Sequence, residues 1–154
     1  MNIAISNIAL PSNHINELYE LREIGFQGLE VAPSKVWDNV RDVKPKQVNA
    51  YRKEVENAGL KVIGMHSLFY DQPNLGLFRG SRVRKDTINF LKHLSKICSD
   101  LGGKFLVFGS PQARKRNKLS IKSADSETIS FFSEVSDYIE KDNTCVVIEA
   151  LGTT

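Results

Sequence analysis

The sequence predicts an α/β protein in which short strands and longer helices alternate around a parallel sheet. Five short apolar runs are spaced along the 154 residues, and helical periodicity follows four of them. The runs are continuously apolar rather than alternating, which is typical of parallel strands that helices cover. No linker or change in composition divides the chain, and 41% of its residues are hydrophobic. We therefore expect a single domain spanning residues 1–154.

Each apolar run has the length of one strand. A run of about four to eight residues bounded by turn-forming residues favours a strand over a helix. The predicted strands are IAISNIA near Ile3, GLEVA at Gly28, KVIGMH at Lys61, KFLVFG at Lys104 and TCVVIE at Thr144.

Four helices connect these strands. The first has Asn13 as its predicted N-cap and Gly25 as its stop, and the second begins at Pro45, a residue favoured in the first turn. The third ends before Gly102. The apolar positions at helical spacing are Ile15, Leu18, Leu21 and Ile24, then Val48, Tyr51, Val55 and Ala58, then Val83, Thr87, Leu91, Leu94, Cys98 and Leu101, and finally Ile129, Phe132, Val135 and Ile139.

Composition argues against several classes of partner. The net charge is +3, but the segment ARKRNK, with Arg114 and Lys118 at its basic ends, supplies four positive charges by itself. An extended nucleic-acid-binding surface is therefore not indicated. No apolar run approaches the length of about 18 residues that a membrane span needs, and the start MNIAISNIALPS lacks the basic region of a signal peptide. We expect a cytoplasmic protein with no membrane partner, in which Cys98 and Cys145 are buried thiols and not a disulfide.

Two α/β architectures fit the order of elements. A dinucleotide-binding Rossmann fold is disfavoured, because it requires a glycine-rich turn after the first strand and the segment ISNIALPSN has no glycine. A flavodoxin-like sheet of five strands fits the length and the element count, whereas a (β/α)8 barrel fits the repeated unit. The residues at the strand ends decide between the two.

A polar side chain stands near the end of every predicted strand. These residues are Asn7, Glu30, His66, Ser110 and Glu149. The ends of parallel strands share one rim, and (β/α)8 enzymes draw their catalytic groups from several strand ends at that rim. A capped turn, an ion pair or a hydrogen-bonded histidine explains any one of these residues equally well. Their recurrence in five units favours a barrel, and we predict that Glu30, His66, Ser110 and Glu149 face one concave surface.

Four longer segments carry a family resemblance. They are FQGLEVAPSKVW, KVIGMHSLFYDQPNLGLF, LGGKFLVFGSPQARKR and CVVIEALG. Together they resemble the sugar phosphate isomerase/epimerase family, the xylose-isomerase-like TIM barrels. A barrel of that family has eight units. The resemblance therefore implies a (β/α)8 TIM barrel truncated to about its first five parallel strands and four helices.

The resemblance also implies a chemistry. Enzymes of the family move a proton alpha to a carbonyl through an enediolate, with a divalent metal (Mn, Co, Mg or Zn) stabilising the charge. Glu149 matches the family's strand-five glutamate, which makes it the implied catalytic residue and metal ligand. The implied substrate-binding residues for a sugar or sugar phosphate are His66, Glu30, Ser110 and Arg114. Because the family's other metal ligands follow strands six to eight, we expect this chain alone to bind metal weakly and to be inactive.

Two further features lie beside the predicted site, an apolar loop and a set of arginines. The loop from Ser67 to Gly80 is rich in apolar residues, so it forms either a wall over the sugar or a layer packed against the third helix. Arg79, Arg82 and Arg114 are candidate contacts for a phosphate, because arginine binds such groups through forked hydrogen bonds.

Two other functions stay open. Type IV apurinic endonucleases use the same barrel to cut DNA, but they carry a metal-binding histidine after strand four, where this chain has Gly109, Ser110 and Pro111. Nucleic acid is therefore an unfavoured partner. The third possibility is a truncated, non-catalytic product. Because an open sheet has two unpaired edges, we also expect self-association through the first and fifth strands.

Overall fold

The structure is a computed structural model that describes residues 2–150. Strands and helices alternate along this part of the chain, and every predicted element is present. The strands are β1 (Ala4–Ser6), β2 (Gly28–Val31), β3 (Lys61–Met65), β4 (Phe105–Phe108) and β5 (Cys145–Ile148). The helices are α1 (Ile15–Glu23), α2 (Pro45–Asn57), α3 (Ser81–Asp100) and α4 (Ile121–Lys141).

The five strands form one parallel sheet in the order in which they occur along the chain, β1-β2-β3-β4-β5. A flavodoxin-like sheet has a different order, with the first strand inside the sheet, so that alternative is wrong. Consecutive parallel strands, each linked to the next by a helix, are the repeating unit of a TIM barrel. The predicted fold class is therefore confirmed: five strands and four helices of the barrel type.

Helices α2 and α3 form as their sequences predict. Pro45 occupies the first turn of α2, where the backbone N–H of Lys44 donates to the Gln47 side chain at 2.9 Å. Gly102, just beyond α3, adopts a φ of +86°, a conformation that glycine reaches at little cost and that ends a helix. The buried residues of α3 are Thr87, Ile88, Phe90, Leu91, Leu94, Ser95, Ile97 and Cys98. Among residues 2–150, no helix combines the length and the hydrophobicity needed to cross a membrane.

Helix α1 starts differently from the prediction. The N-cap is His14 rather than Asn13, and its side chain makes no capping hydrogen bond. The buried imidazole instead bonds the Pro11 carbonyl at 3.2 Å and the Tyr51 hydroxyl at 2.7 Å. The ring thus joins the start of α1 to α2, which the spacing of residues around α1 does not reveal.

Helix α4 buries only part of its predicted apolar stripe. Val135 and Ile139 are buried and Phe132 is half-buried, whereas Ile129 is 69% exposed. Phe131, which the predicted stripe omits, is buried. The exposed side of α4 and strand β5 border an apolar groove of about 690 Å³. The helical spacing predicts Ile129 on the buried side of α4, but its side chain lines this open groove.

The two faces of the sheet differ in how they are covered. Successive side chains of a strand point to opposite faces of the sheet. On one face they are exposed: Ile63 is 37%, Phe105 46% and Val147 42% exposed. The helices pack against the other face, where Leu106 and Val62 are buried. In a closed barrel the uncovered face would be the interior, filled by side chains from all strands.

The two cysteines are in different environments. Cys98 on α3 is buried, whereas Cys145 at the start of β5 is exposed, and both are free thiols. The prediction that both thiols are buried is therefore wrong for Cys145. The reason is its place on β5, an edge strand of the sheet that the structure describes.

Candidate active site

A cavity of about 490 Å³ opens at the carboxyl ends of the strands. Glu30, His66, Ser110 and Glu149 all line it. Its volume lies within the range of small-molecule sites, about 300–1,000 Å³. The structure thus brings four of the predicted site residues to one place, and their chemical roles stay predictions.

Backbone pairing between neighbouring strands sets these positions. The N–H of His66 donates to the Val31 carbonyl at 3.0 Å, and the N–H of Glu149 donates to the Phe108 carbonyl at 3.3 Å. Both bonds extend the parallel ladder one residue past a strand end. The β2–β3 register shifts just before Glu30, and such an irregularity turns the side chain that follows it.

The Glu149 carboxylate lies over Gly109, the residue that follows β4. A Cβ atom placed on Gly109 would stand 1.8 Å from Glu149 Oε2 and 3.0 Å from its carboxyl carbon. Non-bonded carbon contacts need about 3.5 Å or more, so the carboxylate occupies space that any side chain at position 109 would fill. The sequence placed Gly109 only in a turn. The close approach of Gly109 to Glu149 depends on the direction of the Glu149 side chain, which the sequence does not show.

His66 is held by two hydroxyl groups. Its Nε2 is hydrogen-bonded to the Ser6 hydroxyl, and its Nδ1 lies 3.2 Å from the Ser67 hydroxyl oxygen. Burial lowers the pKa of His66 below its ordinary value, and the negative charges of Glu30 and Glu149 oppose that shift. The net effect favours the neutral imidazole, because burial penalises the charged form.

The end of β1 contributes Ser6 to this arrangement and not Asn7, the residue that the sequence pattern selected. Asn7 is buried, and its Oδ1 accepts a hydrogen bond from the Ala32 N–H at 2.7 Å, which ties the end of β1 to the end of β2. The Ser6 hydroxyl reaches His66 and also accepts the Ile8 N–H at 3.1 Å. A contact between residues 60 positions apart has no local sequence signature.

Arg114 lies behind Glu149 and lines a neighbouring cavity of about 220 Å³. Its Nη1 donates to the Glu149 carbonyl at 2.7 Å and to the Phe108 carbonyl at 3.4 Å. The guanidinium therefore joins the ends of β4 and β5. Arg79 likewise donates to two backbone carbonyls of neighbouring loops. Contact of either arginine with a substrate anion stays a prediction.

Apolar side chains complete the walls of the cavity. Ile8 and Phe69 contribute to the lining, as does Tyr70, which is 79% exposed. The buried apolar residues of the loop from Ser67 to Gly80 are Leu68, Phe69, Leu75 and Leu77. Packing thus accounts for most of this loop, while Phe69 and Tyr70 form a wall of the cavity.

The described residues do not complete a metal site. Among residues 2–150, no group of three or more His, Cys, Asp or Glu side chains is placed to hold a metal ion. Catalytic zinc sites have about three protein ligands. Glu149 offers a carboxylate, the donor type that hard divalent cations prefer, but both ring nitrogens of His66 are engaged by hydroxyls. These residues fit one ligand of a metal centre and not the whole centre.

Comparison with known proteins identifies the family. Residues 18–154 match a family model described as xylose isomerase-like TIM barrel. The chain belongs to this family. A search of curated proteins found no match.

Solved structures share the xylose isomerase-like fold of this chain. The D-psicose 3-epimerase of Clostridium cellulolyticum H10, solved with D-tagatose, has a TM-score of 0.76 at 15% identity and covers 98% of this chain and 53% of its own. A sugar phosphate isomerase/epimerase from Parabacteroides distasonis ATCC 8503 has a TM-score of 0.69 at 17% identity, with coverages of 96% and 50%. The IolI protein with a binding zinc atom has a TM-score of 0.71 at 16% identity, with coverages of 96% and 51%.

The chain spans about half the length of these solved structures. At such low sequence identity, the likeness establishes a common fold and leaves the activity to be argued from the site.

Proposed function

We propose that this chain carries the sugar-binding and proton-transferring part of a sugar or sugar-phosphate isomerase/epimerase. The observation that carries the proposal is the meeting of Glu30, His66, Ser110 and Glu149 in one cavity. That cavity lies at the carboxyl-end rim, where enzymes with (β/α)8 barrels bind their substrates. Family membership supports the proposal, and the sugar epimerase with D-tagatose among the similar structures supports a sugar as the ligand class.

Glu149 is the proton-transfer residue in this proposal. Its carboxylate removes a proton from the carbon beside the sugar carbonyl, which leaves an enediolate. Return of that proton to the former carbonyl carbon, with the hydroxyl proton passing to the former carbonyl oxygen, interconverts an aldose and a ketose. If a second acid instead delivers a different proton to the opposite face of the original carbon, that carbon is inverted and the removed proton stays on Glu149. In both cases the position of the carboxylate over Gly109 fixes the distance from base to carbon.

The other residues of the cavity bind and orient the sugar. Glu30 and Ser110 provide polar groups for its hydroxyls, and the side chains of Ile8 and Tyr70 cover its apolar faces. His66, whose two ring nitrogens bond Ser6 and Ser67, orients the wall of the cavity beside them. For a phosphorylated sugar we keep Arg114 as a proposed anion contact, made through donors other than the Nη1 that bonds two backbone carbonyls.

The cofactor class proposed with this function is a divalent cation, manganese, cobalt, magnesium or zinc, with Glu149 as one ligand. The described residues supply too few further ligands to hold it. We therefore expect the 154-residue chain alone to bind such cations weakly. Calorimetry with each cation checks this, and a tight stoichiometric site that Glu149→Ala abolishes would contradict it.

The test of the proposed function is exchange of the proton beside the carbonyl. D-tagatose and D-psicose, free and phosphorylated, are incubated in deuterated solvent with the natural polypeptide that carries this sequence, and deuterium uptake is followed by NMR. We expect uptake that falls by at least about 10²-fold in Glu149→Gln, since positioned acids and bases contribute about 10²- to 10⁴-fold. Glu127→Gln, on the exposed surface of α4, is the matched control.

Two results would overturn the proposal. One is the absence of uptake from all four sugars, and the other is uptake that Glu149→Gln leaves unchanged. Cleavage of abasic DNA without sugar exchange would favour the endonuclease alternative.

A further inference from the structure

The hydrogen bonds of His66 point to a different residue as the sugar contact at the end of β3. An imidazole has two nitrogen atoms that take part in hydrogen bonds. Ser6 engages Nε2 and Ser67 engages Nδ1. No ring nitrogen is left for a direct bond to a ligand, although His66 itself borders the cavity.

We infer that the Ser67 hydroxyl, held by His66 with Ser6 behind it, is the group that binds a sugar hydroxyl at this wall of the cavity. Ser67 lines the cavity directly. His66 and Ser6 are then positioning residues that act on the sugar through Ser67. The sugar itself rests on the proposed function, whereas the three-residue arrangement is a feature of the structure.

The bond to Nδ1 leaves the Ser67 hydroxyl free to make a further hydrogen bond in each tautomer of the neutral ring. Ser6 already accepts the Ile8 N–H. If the Ser6 hydroxyl donates to Nε2, then Nδ1–H donates to Ser67, whose own hydrogen can point to a ligand. If Nε2–H donates to Ser6, Ser67 donates to Nδ1 and its oxygen can accept from a ligand. A contact that can either donate or accept suits a sugar hydroxyl, which also does both.

The backbone at Ser67 gives independent support. Ser67 has a φ of +51°, in the left-handed region that few residues other than glycine adopt. Strained backbone of this kind concentrates at functional sites. Glycine would remove the strain but also the hydroxyl. The conformation therefore keeps that hydroxyl at the cavity wall and next to Nδ1 of the adjacent residue.

The first test is nitrogen NMR of the histidine rings in the 154-residue chain without any sugar. The chain has three histidines, and His66→Gln identifies the His66 signals by their loss. Ser6→Ala should shift the Nε2 signal of His66 and Ser67→Gly its Nδ1 signal. The rings of His14 and His93, which bond Tyr51 and the Val40 carbonyl, serve as references in the same sample. His66 signals that neither substitution moves would overturn the arrangement.

The second test is binding of D-tagatose to the same chain, measured by calorimetry. Ser67→Gly and Ser67→Ala both lack the hydroxyl, but only glycine relieves the backbone strain. We expect both to weaken binding by about 3- to 10-fold, the effect of one net hydrogen bond. Ser6→Ala should weaken it in the same direction, and Ser136→Ala, on the exposed surface of α4, should not.

The outcomes separate this inference from the function on which it rests. D-tagatose binding that Ser67→Gly and Ser67→Ala leave unchanged would overturn the inference and leave the proposed function in place. A lack of binding to the unmodified chain would count against the proposed function and would also overturn the role of Ser67 as a sugar contact, even with the expected ring signals.

Discussion

The absence of a side chain at Gly109 leaves the space that the Glu149 carboxylate occupies. Gly109→Ala tests this, because a Cβ atom would meet Glu149 Oε2 at 1.8 Å. The glycines with positive φ among the described residues are Gly25, Gly59, Gly80 and Gly102. Alanine at position 109 therefore causes no backbone strain, and the flexible carboxylate moves aside instead.

We expect Gly109→Ala to fold and to lower proton exchange by about 10²-fold, since a displacement of about 1 Å can cost that much. Thermal unfolding and deuterium uptake by the same sample check both parts. The free energy of unfolding should change by less than about 1 kcal/mol. A folded Gly109→Ala variant that exchanges at the unmodified rate would show that Glu149 needs no fixed position.

The lowered pKa of His66 predicts how stability depends on pH. Burial lowers this pKa from the reference value of 6.5, so below about that pH the unfolded chain binds a proton that the folded chain does not. The His66 contribution should therefore destabilise the fold as the pH falls from about 6.5 through the folded-state pKa. Urea unfolding at a series of pH values measures it.

Substitutions at His66 and Glu30 should change this pH dependence of stability in opposite directions. His66→Gln should flatten the dependence below about pH 6.5, because the titrating group is gone. Glu30→Gln should steepen it, since the Glu30 charge raises the pKa of His66 and its loss widens the gap to the unfolded chain. A steeper dependence in His66→Gln would contradict the assignment.

Single residues show where prediction from sequence stops. The meeting of Glu30, His66, Ser110 and Glu149 at one cavity was predictable from position along the chain, because parallel strands end on one rim. Their chemical roles stay predictions. The contact of Ser6 with His66 and the close approach of Gly109 to Glu149 were not predictable. The first depends on a contact across 60 positions, and the second on the direction in which a neighbouring carboxylate points.

At the level of elements, pattern predicts the type of each strand and helix but not which faces are covered. All five strands and four helices occur where the apolar periodicity places them. The predicted apolar stripe on α4 includes Ile129 and omits Phe131, yet Ile129 is exposed and Phe131 is buried. Burial depends on what packs beside an element, and nothing within the described residues covers that side of α4.

Thiol reactivity tests the exposed position of β5. Cys145 is exposed at the start of this edge strand, whereas burial raises the pKa of Cys98 to about 12. Because the thiolate is the reactive form, an aromatic disulfide reagent at mildly alkaline pH should label Cys145 rapidly and Cys98 only on unfolding. Cys145→Ser should remove the rapid phase. Slow labelling of both thiols would mean that β5 is covered in solution.

At the scale of the whole molecule, the uncovered face and the two edges of the sheet decide whether the chain self-associates. The sheet has β1 and β5 at its edges, and apolar side chains such as Phe105 and Val147 are exposed on the face without helices. Beside β5 lies the apolar groove of about 690 Å³. In the barrels of this family, further β/α units occupy the corresponding places. Nothing within residues 2–150 covers these surfaces.

These surfaces lead us to expect that the isolated chain self-associates. Unpaired strand edges are templates for pairing with another chain, and β5, with the sequence CVVI, has neither a charge nor a proline to prevent it. Sedimentation velocity across a concentration series should therefore show a mass that rises with concentration. Val147→Lys places a charge on this edge strand and should reduce the association, whereas Glu127→Gln on α4 should not. A compact monomer at every concentration would contradict this expectation, because β1 and β5 would then not pair with a second chain.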